Sequence, residues 1–383
     1  LSEQRKKAIA AARAVVVKVG TRVLTDNSGK LDRDRINRLA AQLARIAATG
    51  RQTILVSSGA VAAGVAKLGL TERPQLVSRL QAVAAIGQAD LIKVYEQAFL
   101  PFGRHVAQVL LTAGDLKRRS GYLHVRNALR QIHQYGAVAI INENDSVSVA
   151  ELQTTFGDND RLAADVAGLL SDALLVILSD VDGLFDGPPG IPTSRVIDVV
   201  PRVDRSILSL AIDKVSGVSK GGMMSKLRAA RLASSCGHHA IIGPGRDDGV
   251  LDKIIAGETI GTLFLPRHHS IRGRRRWIGS SAPVTGTLVV DGGAANALLR
   301  SGASLLAVGI RAVKGEFPRG AVVSIVGLDG VELARGLSNY PSDEVRAIRG
   351  MPSDEIPAVL GHCPYDSVVH RDNMAIVDEA KSE

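Results

Sequence analysis

A lysine inside an apolar strand costs free energy unless something pairs with it. Lys18 stands in such a place, within the run VVVKVG that leads into Gly20 and Thr21. Three further apolar runs end in groups of similar polarity. QTILVSSG ends in Ser57, Ser58 and Gly59, AVAIINEND in Asn142 to Asp145, and ALLVILSD in Ser179 and Asp180. Any one cluster is accounted for as a turn or a helix N-cap, since Asn, Asp, Ser and Gly supply both. The four together, with a lysine among them, describe an anion site. Of two more segments, the first is accounted for by helix caps and the second extends the site. FGDNDRLAADVAGLL places Asp158, Asn159 and Asp160 just before an apolar-periodic helix. SGVSKGGMMSK sets Gly221 and Gly222 where backbone N–H groups can approach a phosphate closely, with Lys226 about a helical turn further on.

Several familiar patterns are excluded. Met223 stands where a P-loop needs its lysine, and DND lacks the rest of a calcium loop. GPGRDDG lacks the third glycine of a dinucleotide fingerprint, and HRD at His370 to Asp372 has no DFG after it. The pairs His238/His239 and His268/His269 have no ligand partners at metal spacing.

The elements that must position these residues read as βαβ units. The runs above, with HVAQVLL, are nearly continuous in Val, Ile and Leu, which predicts parallel strands buried on both faces. DRINRLAAQLARIAATG, GYLHVRNALRQIHQYG and GGMMSKLRAARLASSCG carry apolar residues at helical spacing and stop at glycine. In an open parallel sheet the ligand crevice lies outside the carboxyl ends of the strands, where helix N-termini point their unpaired N–H groups. Four polar strand ends therefore meet at one site.

With 383 residues and 45% hydrophobic content, the chain can bury a large core and more than one domain. No apolar run reaches the length of a membrane span. Arg13 and Lys18 interrupt the first apolar stretch, so the expectation is an unexported, soluble, cytoplasmic protein with no membrane partner. Cys236 and Cys363 are too few and too far apart for a disulfide framework. Residues 1–265 form the expected α/β domain and hold 33 basic against 25 acidic residues, so most of the formal charge of +9 belongs there. Residues 266–283 read as a basic linker, with Arg267, Arg272, Arg274, Arg275 and Arg276. Residues 284–372 change to short strands (GTLVVDGG, GIRAVKG, GAVVSIVG, GVELARG) with one or two small helices, and 373–383 form a tail.

VVKVGTRVL, VSSGAVAAG, INENDSV, FGDND, LSDVDGL and KGGMMSK stand in the order found in the amino acid kinase family. The chain resembles those members that phosphorylate the side chain of glutamate. VTGTLVVDGGA through VVHRD resembles the PUA domain that many of the bacterial members carry. The resemblance implies a three-layer αβα sandwich on a mostly parallel sheet, followed by a small β-rich PUA domain. It implies ATP-dependent phosphorylation of the γ-carboxylate of L-glutamate to L-glutamyl 5-phosphate, the first step of proline biosynthesis, with Mg²⁺ as cofactor. Lys18 and Lys226 would flank the transferred group, and Asp160 would orient both. Ser58, Gly59, Asn142, Asp145 and Asn159 would hold glutamate. Lys18, Gly20, Ser179, Asp180 and the segment Lys220, Gly221, Gly222, Met223, Met224, Ser225 and Lys226 would line the ATP site. Proline as feedback inhibitor and a homo-oligomeric state are further implications.

The chemistry is consistent with these roles. A carboxylate attacking a γ-phosphate brings two anions together, and phosphoryl transfer needs mainly positioning and charge stabilisation. The attacking γ-carboxylate is already ionised near neutral pH, so no catalytic histidine is required. Two rival readings stay open. An RNA-binding protein is the first, since PUA domains commonly bind RNA, although the chain from Trp277 onward is net acidic. A kinase for aspartate or acetylglutamate is the second. With aromatic residues at 3%, no stacking platform for adenine is evident.

Overall fold

A computed structural model of the chain describes residues 2–26, 28–147, 158–211, 222–266, 278–279, 282–363 and 365–377. The chain divides into two compact units, the larger built from most of the residues up to Ser270 and the smaller from Ile271 on.

The strands of the larger unit are β1 (Ala14–Val19), β2 (Gln52–Ser57), β3 (Val106–Leu111), β4 (Val138–Glu143), β5 (Ala173–Ser179), β6 (Val199–Val200), β7 (His239–Pro244) and β8 (Thr262–Phe264). They form one eight-stranded sheet in the order β3-β4-β2-β1-β5-β7-β8-β6. Every adjacent pair is parallel except β7 with β8. Its helices are α1 (Ser2–Ala10), α2 (Thr21–Leu24), α3 (Arg33–Ala48), α4 (Ala60–Lys67), α5 (Val77–Phe99), α6 (Ala113–Lys117), α7 (Arg119–Gln134), α8 (Asp158–Leu169), α9 (Arg205–Ser209), α10 (Gly222–Ser235) and α11 (Val250–Ala256).

Side chains alternate across a strand, and the helices sort accordingly. Val15, Val17 and Val19 of β1 pack into one core with Leu39 and Leu43 of α3, Leu91 and Tyr95 of α5, and Leu251 of α11. Lys18 therefore points to the opposite face, where α8 packs on β1 and β5 and α10 packs on α8. The three layers follow from this. α3 owes its start to Asp32, whose carboxylate accepts from the Arg35 N–H at 3.0 Å, and its docking to the apolar stripe Ile36, Leu39, Ala40 and Leu43.

Central strands β1 and β5 are buried at every position, as continuous apolar runs predict. β3 departs from that expectation: Gln108 and Leu110 are exposed, because β3 is the sheet edge and is covered less completely. The sequence reading also passes over α5, the 23-residue helix that carries much of the core. The smaller unit has a five-stranded sheet, β10 (Ile310–Lys314), β9 (Gly286–Val290), β11 (Val322–Val326), β12 (Glu332–Leu337) and β13 (Met374–Ile376), in that order. Helices α12 (Gly292–Ser301), α13 (Ser342–Ile348) and α14 (Ile356–Leu360) accompany it. Its core gathers Leu288, Val323, Ile325, Tyr340 and Val369.

Candidate active site

The register explains why distant polar clusters meet. Val19 lies opposite Ser57 on one side and Leu178 on the other, so β1, β2 and β5 finish level. Lys18, one residue short of that edge, reaches Asp160 at the start of α8 with Nζ 2.8 Å from Oδ1. Lys226, on the first turn and a half of α10, reaches the other oxygen of the same carboxylate at 3.4 Å and donates to the Gly222 carbonyl at 3.0 Å. The three side chains are 9%, 2% and 12% exposed for Lys18, Asp160 and Lys226. Burial alone would push Asp160 up, but the charges of Lys18 and Lys226, with hydrogen bonds from Lys18 and Ser225, outweigh it and hold the carboxyl below its usual range. Burial lowers Lys226, and Asp160 offsets only part of that. Two cations and one anion leave this buried group with an excess of positive charge facing a cavity.

A wall of amides adjoins the lysines. Asn159 Nδ2 donates to Ser58 Oγ at 3.0 Å, to Asn142 Oδ1 at 3.2 Å and to the Ser57 carbonyl at 3.3 Å. Asn142 Oδ1 also accepts from the Glu143 N–H at 2.9 Å, and its Nδ2 donates to Gln88 Oε1 at 2.9 Å. Gly59 makes the turn from β2 into α4 at φ 106°, a conformation only glycine adopts without strain. Asp145 completes the wall. Its Oδ1 is buried with no hydrogen-bond partner among the described residues. Burial, reinforced by Glu143 and partly offset by Arg73, pushes its carboxyl up to about 6.

Lys18, Lys226, Ser58, Gly59, Asn142, Asp145 and Asn159 line one cavity of about 510 Å³, a size suited to small ligands, while Asp160 stands behind the lysines and is absent from the lining. Lys18, Gly20, Gly222, Met223 and Lys226 are among the cavity's lining residues. Ser58, Gly59, Asn142, Asp145 and Asn159 form one end, and Ser179 and Asp180 lead to the other. Asp180 is held below its usual range: burial raises it, and hydrogen bonds from Arg22 (3.0 Å) and Ser179 (3.1 Å) more than offset that. Met224 is absent from the lining, because it is turned about 100° along α10 from Met223. Ser225 bonds Asp160 rather than facing the cavity. Lys220, Gly221 and the five linker arginines lie outside the described residues.

Several residues escape the sequence reading. Arg22 and Arg73 line the cavity, and Phe185, Leu184, Pro189 and Leu210 add apolar groups to its lining. A lone aromatic in LFDGPPG is a weak signal by itself. Gln88 had a better one, as a polar residue within the buried stripe Leu80, Ala84, Gly87 and Leu91 of α5.

A mostly parallel sheet that gathers two lysines on one buried carboxylate, beside an amide wall, has the chemistry that phosphoryl transfer to a small anionic acceptor needs. The amino acid kinase family profile matches residues 13–243 and the PUA domain profile residues 286–360, so the chain belongs to the amino acid kinase family and carries a PUA domain. It is 59% identical over 372 residues to the glutamate 5-kinase of Rhodopirellula baltica, covering 97% of this chain and 96% of that protein. The glutamate 5-kinases of Moorella thermoacetica and Caldanaerobacter subterraneus are 44% and 43% identical over 97% and 96% of this chain, and over 98% of each relative.

Proposed function

We propose that the cavity holds ATP and L-glutamate end to end, and that the chain transfers the γ-phosphoryl group to the side-chain carboxylate, giving L-glutamyl 5-phosphate for proline biosynthesis. Carrying this reading is the shared carboxylate: Lys18 and Lys226, from opposite ends of the larger unit, converge on Asp160 at 2.8 and 3.4 Å. Asp160 holds the two ammonium groups apart and in place. They face the phosphoryl oxygens, whose charge spreads as the γ-carboxylate oxygen bonds to phosphorus and ADP departs. No general base takes part, because the attacking carboxylate carries no proton near neutral pH.

Ser58, Gly59, Asn142 and Asn159 hold the amino acid, and Asp145 takes its ammonium. The free buried oxygen of Asp145 favours an acceptor with a charged amine over an N-acetylated one. Gly20, Ser179, Asp180, Gly222 and Met223 take the nucleotide phosphates, and Phe185, Leu184, Pro189 and Leu210 take the base. Asp180, which lines the cavity, would hold Mg²⁺, since this ion prefers few protein ligands and several phosphate oxygens. When bound it supplies positive charge to the phosphate chain. Proline retains an ammonium and an α-carboxylate and so competes for the glutamate end. A homo-oligomeric, cytoplasmic enzyme completes the reading. Among the described residues no helix is long and apolar enough to cross a membrane.

A hydroxamate assay with ATP and Mg²⁺ tests the assignment, because an acyl phosphate traps hydroxylamine. Signal with glutamate, and little with aspartate or N-acetylglutamate, is expected. A preference for either alternative would overturn it.

A further inference from the structure

We infer that Gln88, which is absent from the cavity lining, is a positioning residue that holds Asn142 in place in the amino-acid wall. This rests on the glutamate reading of that wall. Gln88 is buried on α5, and its Oε1 accepts from Asn142 Nδ2 at 2.9 Å. An Asn amide presents an oxygen at one end and N–H donors at the other, and a half-turn exchanges them. Two backbone groups make the assignment here unambiguous. The Glu143 N–H can only donate, so the Asn142 atom it meets at 2.9 Å is oxygen, and the other end is Nδ2. The Ser57 carbonyl can only accept, so the Asn159 atom 3.3 Å away is nitrogen. Gln88 supplies the acceptor that Asn142 Nδ2 requires in a buried setting.

The chain of bonds thus runs from Gln88 on α5 to Asn142 at the end of β4, to Asn159 on α8, and to Ser58 after β2. Asn142, Asn159 and Ser58 line the cavity, while Gln88 stands behind them. Removing its oxygen leaves the buried Asn142 Nδ2 without this acceptor. Asn142 then shifts toward another acceptor, and its Oδ1 is drawn away from Asn159 Nδ2 and the Glu143 N–H, from which it accepts. The damage is expected to be greatest at the glutamate end, since the bonds from Gln88 to Asn142, Asn159 and Ser58 do not include Lys18, Asp160 or Lys226.

Steady-state kinetics of the full chain test this. Gln88→Leu is expected to raise the KM for glutamate by about tenfold, the effect of one buried amide losing its acceptor, with kcat and the KM for ATP within about twofold of wild type. Gln88→Glu, which keeps an acceptor oxygen, should recover most of the loss. In an Asn142→Ala background, Gln88→Leu should add less than about twofold, because the partner through which it acts is gone. Gln88→Leu that changes kcat and both KM values alike, Gln88→Glu that does no better, or full additivity with Asn142→Ala would each overturn the inference. If wild type itself gives no glutamate-dependent acyl phosphate, the functional reading falls and this inference with it. A wild type that is active beside an indifferent Gln88→Leu removes the inference alone.

Discussion

Lys18 Nζ sits 2.8 Å from Asp160 Oδ1, with the two side chains 9% and 2% exposed. A pair so far from water is costly to break, because removing one member strands the other's charge. Lys18→Ala and Lys226→Ala are each expected to cut kcat by on the order of 10²-fold or more, as for loss of one transition-state donor. Asp160→Ala strands two ammonium groups, so it should lower stability by roughly 3 to 5 kcal/mol as well as abolish turnover. Hydroxamate kinetics and urea denaturation separate the two effects. Near-normal turnover in both lysine variants would remove the clamp.

Asp145 and Asp160 have opposite pH signatures. Burial lifts Asp145 from an ordinary 3.8 to about 6, so between these values the folded protein binds more protons than the unfolded chain. This group therefore favours the fold as pH falls from 6 towards 4, and the benefit is lost as pH rises through 6. Asp160, held low, contributes stability that is present above the ordinary aspartate range and lost as pH falls. Binding adds a distinct consequence, because only ionised Asp145 pairs with an ammonium. The KM for glutamate should rise as pH drops below about 6, and Asp145→Asn should raise it at pH 7.5 and flatten the profile. A wild-type KM for glutamate that stays constant between pH 5 and 7.5 would take Asp145 out of the ammonium site.

How much of this was legible beforehand depends on whether a residue's reason lies in its own neighbourhood. Lys18 could be flagged because its strand is apolar on both sides, and Ser58, Asn142 and Ser179 because they end strands that share a register. Asp160 looks locally like one more helix-starting carboxylate. The family resemblance apart, its role appears only when α8 and α10 pack together. Gln88 stands out as a polar residue in a buried stripe, but what it pairs with is not legible, because its partner, Asn142, is 54 residues away. The both-face burial expected of β3 failed because position within a sheet is a tertiary property that a run of Val and Leu does not encode.

On the proposed reading, Phe185, which lines the cavity, is the aromatic contact that a 3% aromatic content concealed. A single ring beside Leu184, Pro189 and Leu210 is enough to give a nucleobase an apolar face, and its loss should be felt by ATP alone. Phe185→Ala is expected to raise the KM for ATP by roughly tenfold, in the range of one base–aromatic contact, while leaving the KM for glutamate within twofold. Equal effects on both substrates would place the base elsewhere.

Gly87 lies within a 23-residue helix, where glycine costs about 1 kcal/mol relative to alanine. Its packing accounts for the cost. A Cβ at 87 would stand 1.9 Å from the Ala60 carbonyl oxygen and 2.3 Å from the Gly64 nitrogen, and a Cβ at Gly64 would stand 2.0 Å from the Val83 carbonyl oxygen. These obstacles are backbone, which cannot rotate away, so α4 and α5 must separate. Because α4 starts at the Gly59 turn and α5 carries Gln88, separation moves both supports of the amino-acid wall. Gly87→Ala should therefore destabilise by about 1 to 3 kcal/mol despite alanine's better helix propensity, and should raise the KM for glutamate more than that for ATP. Gly292→Ala, where nothing lies within 4 Å of the added carbon, serves as the control and should leave both unchanged. Urea midpoints and the two KM values check this. A Gly87→Ala protein as stable as wild type would mean that the close backbone contact does not set the spacing of these helices.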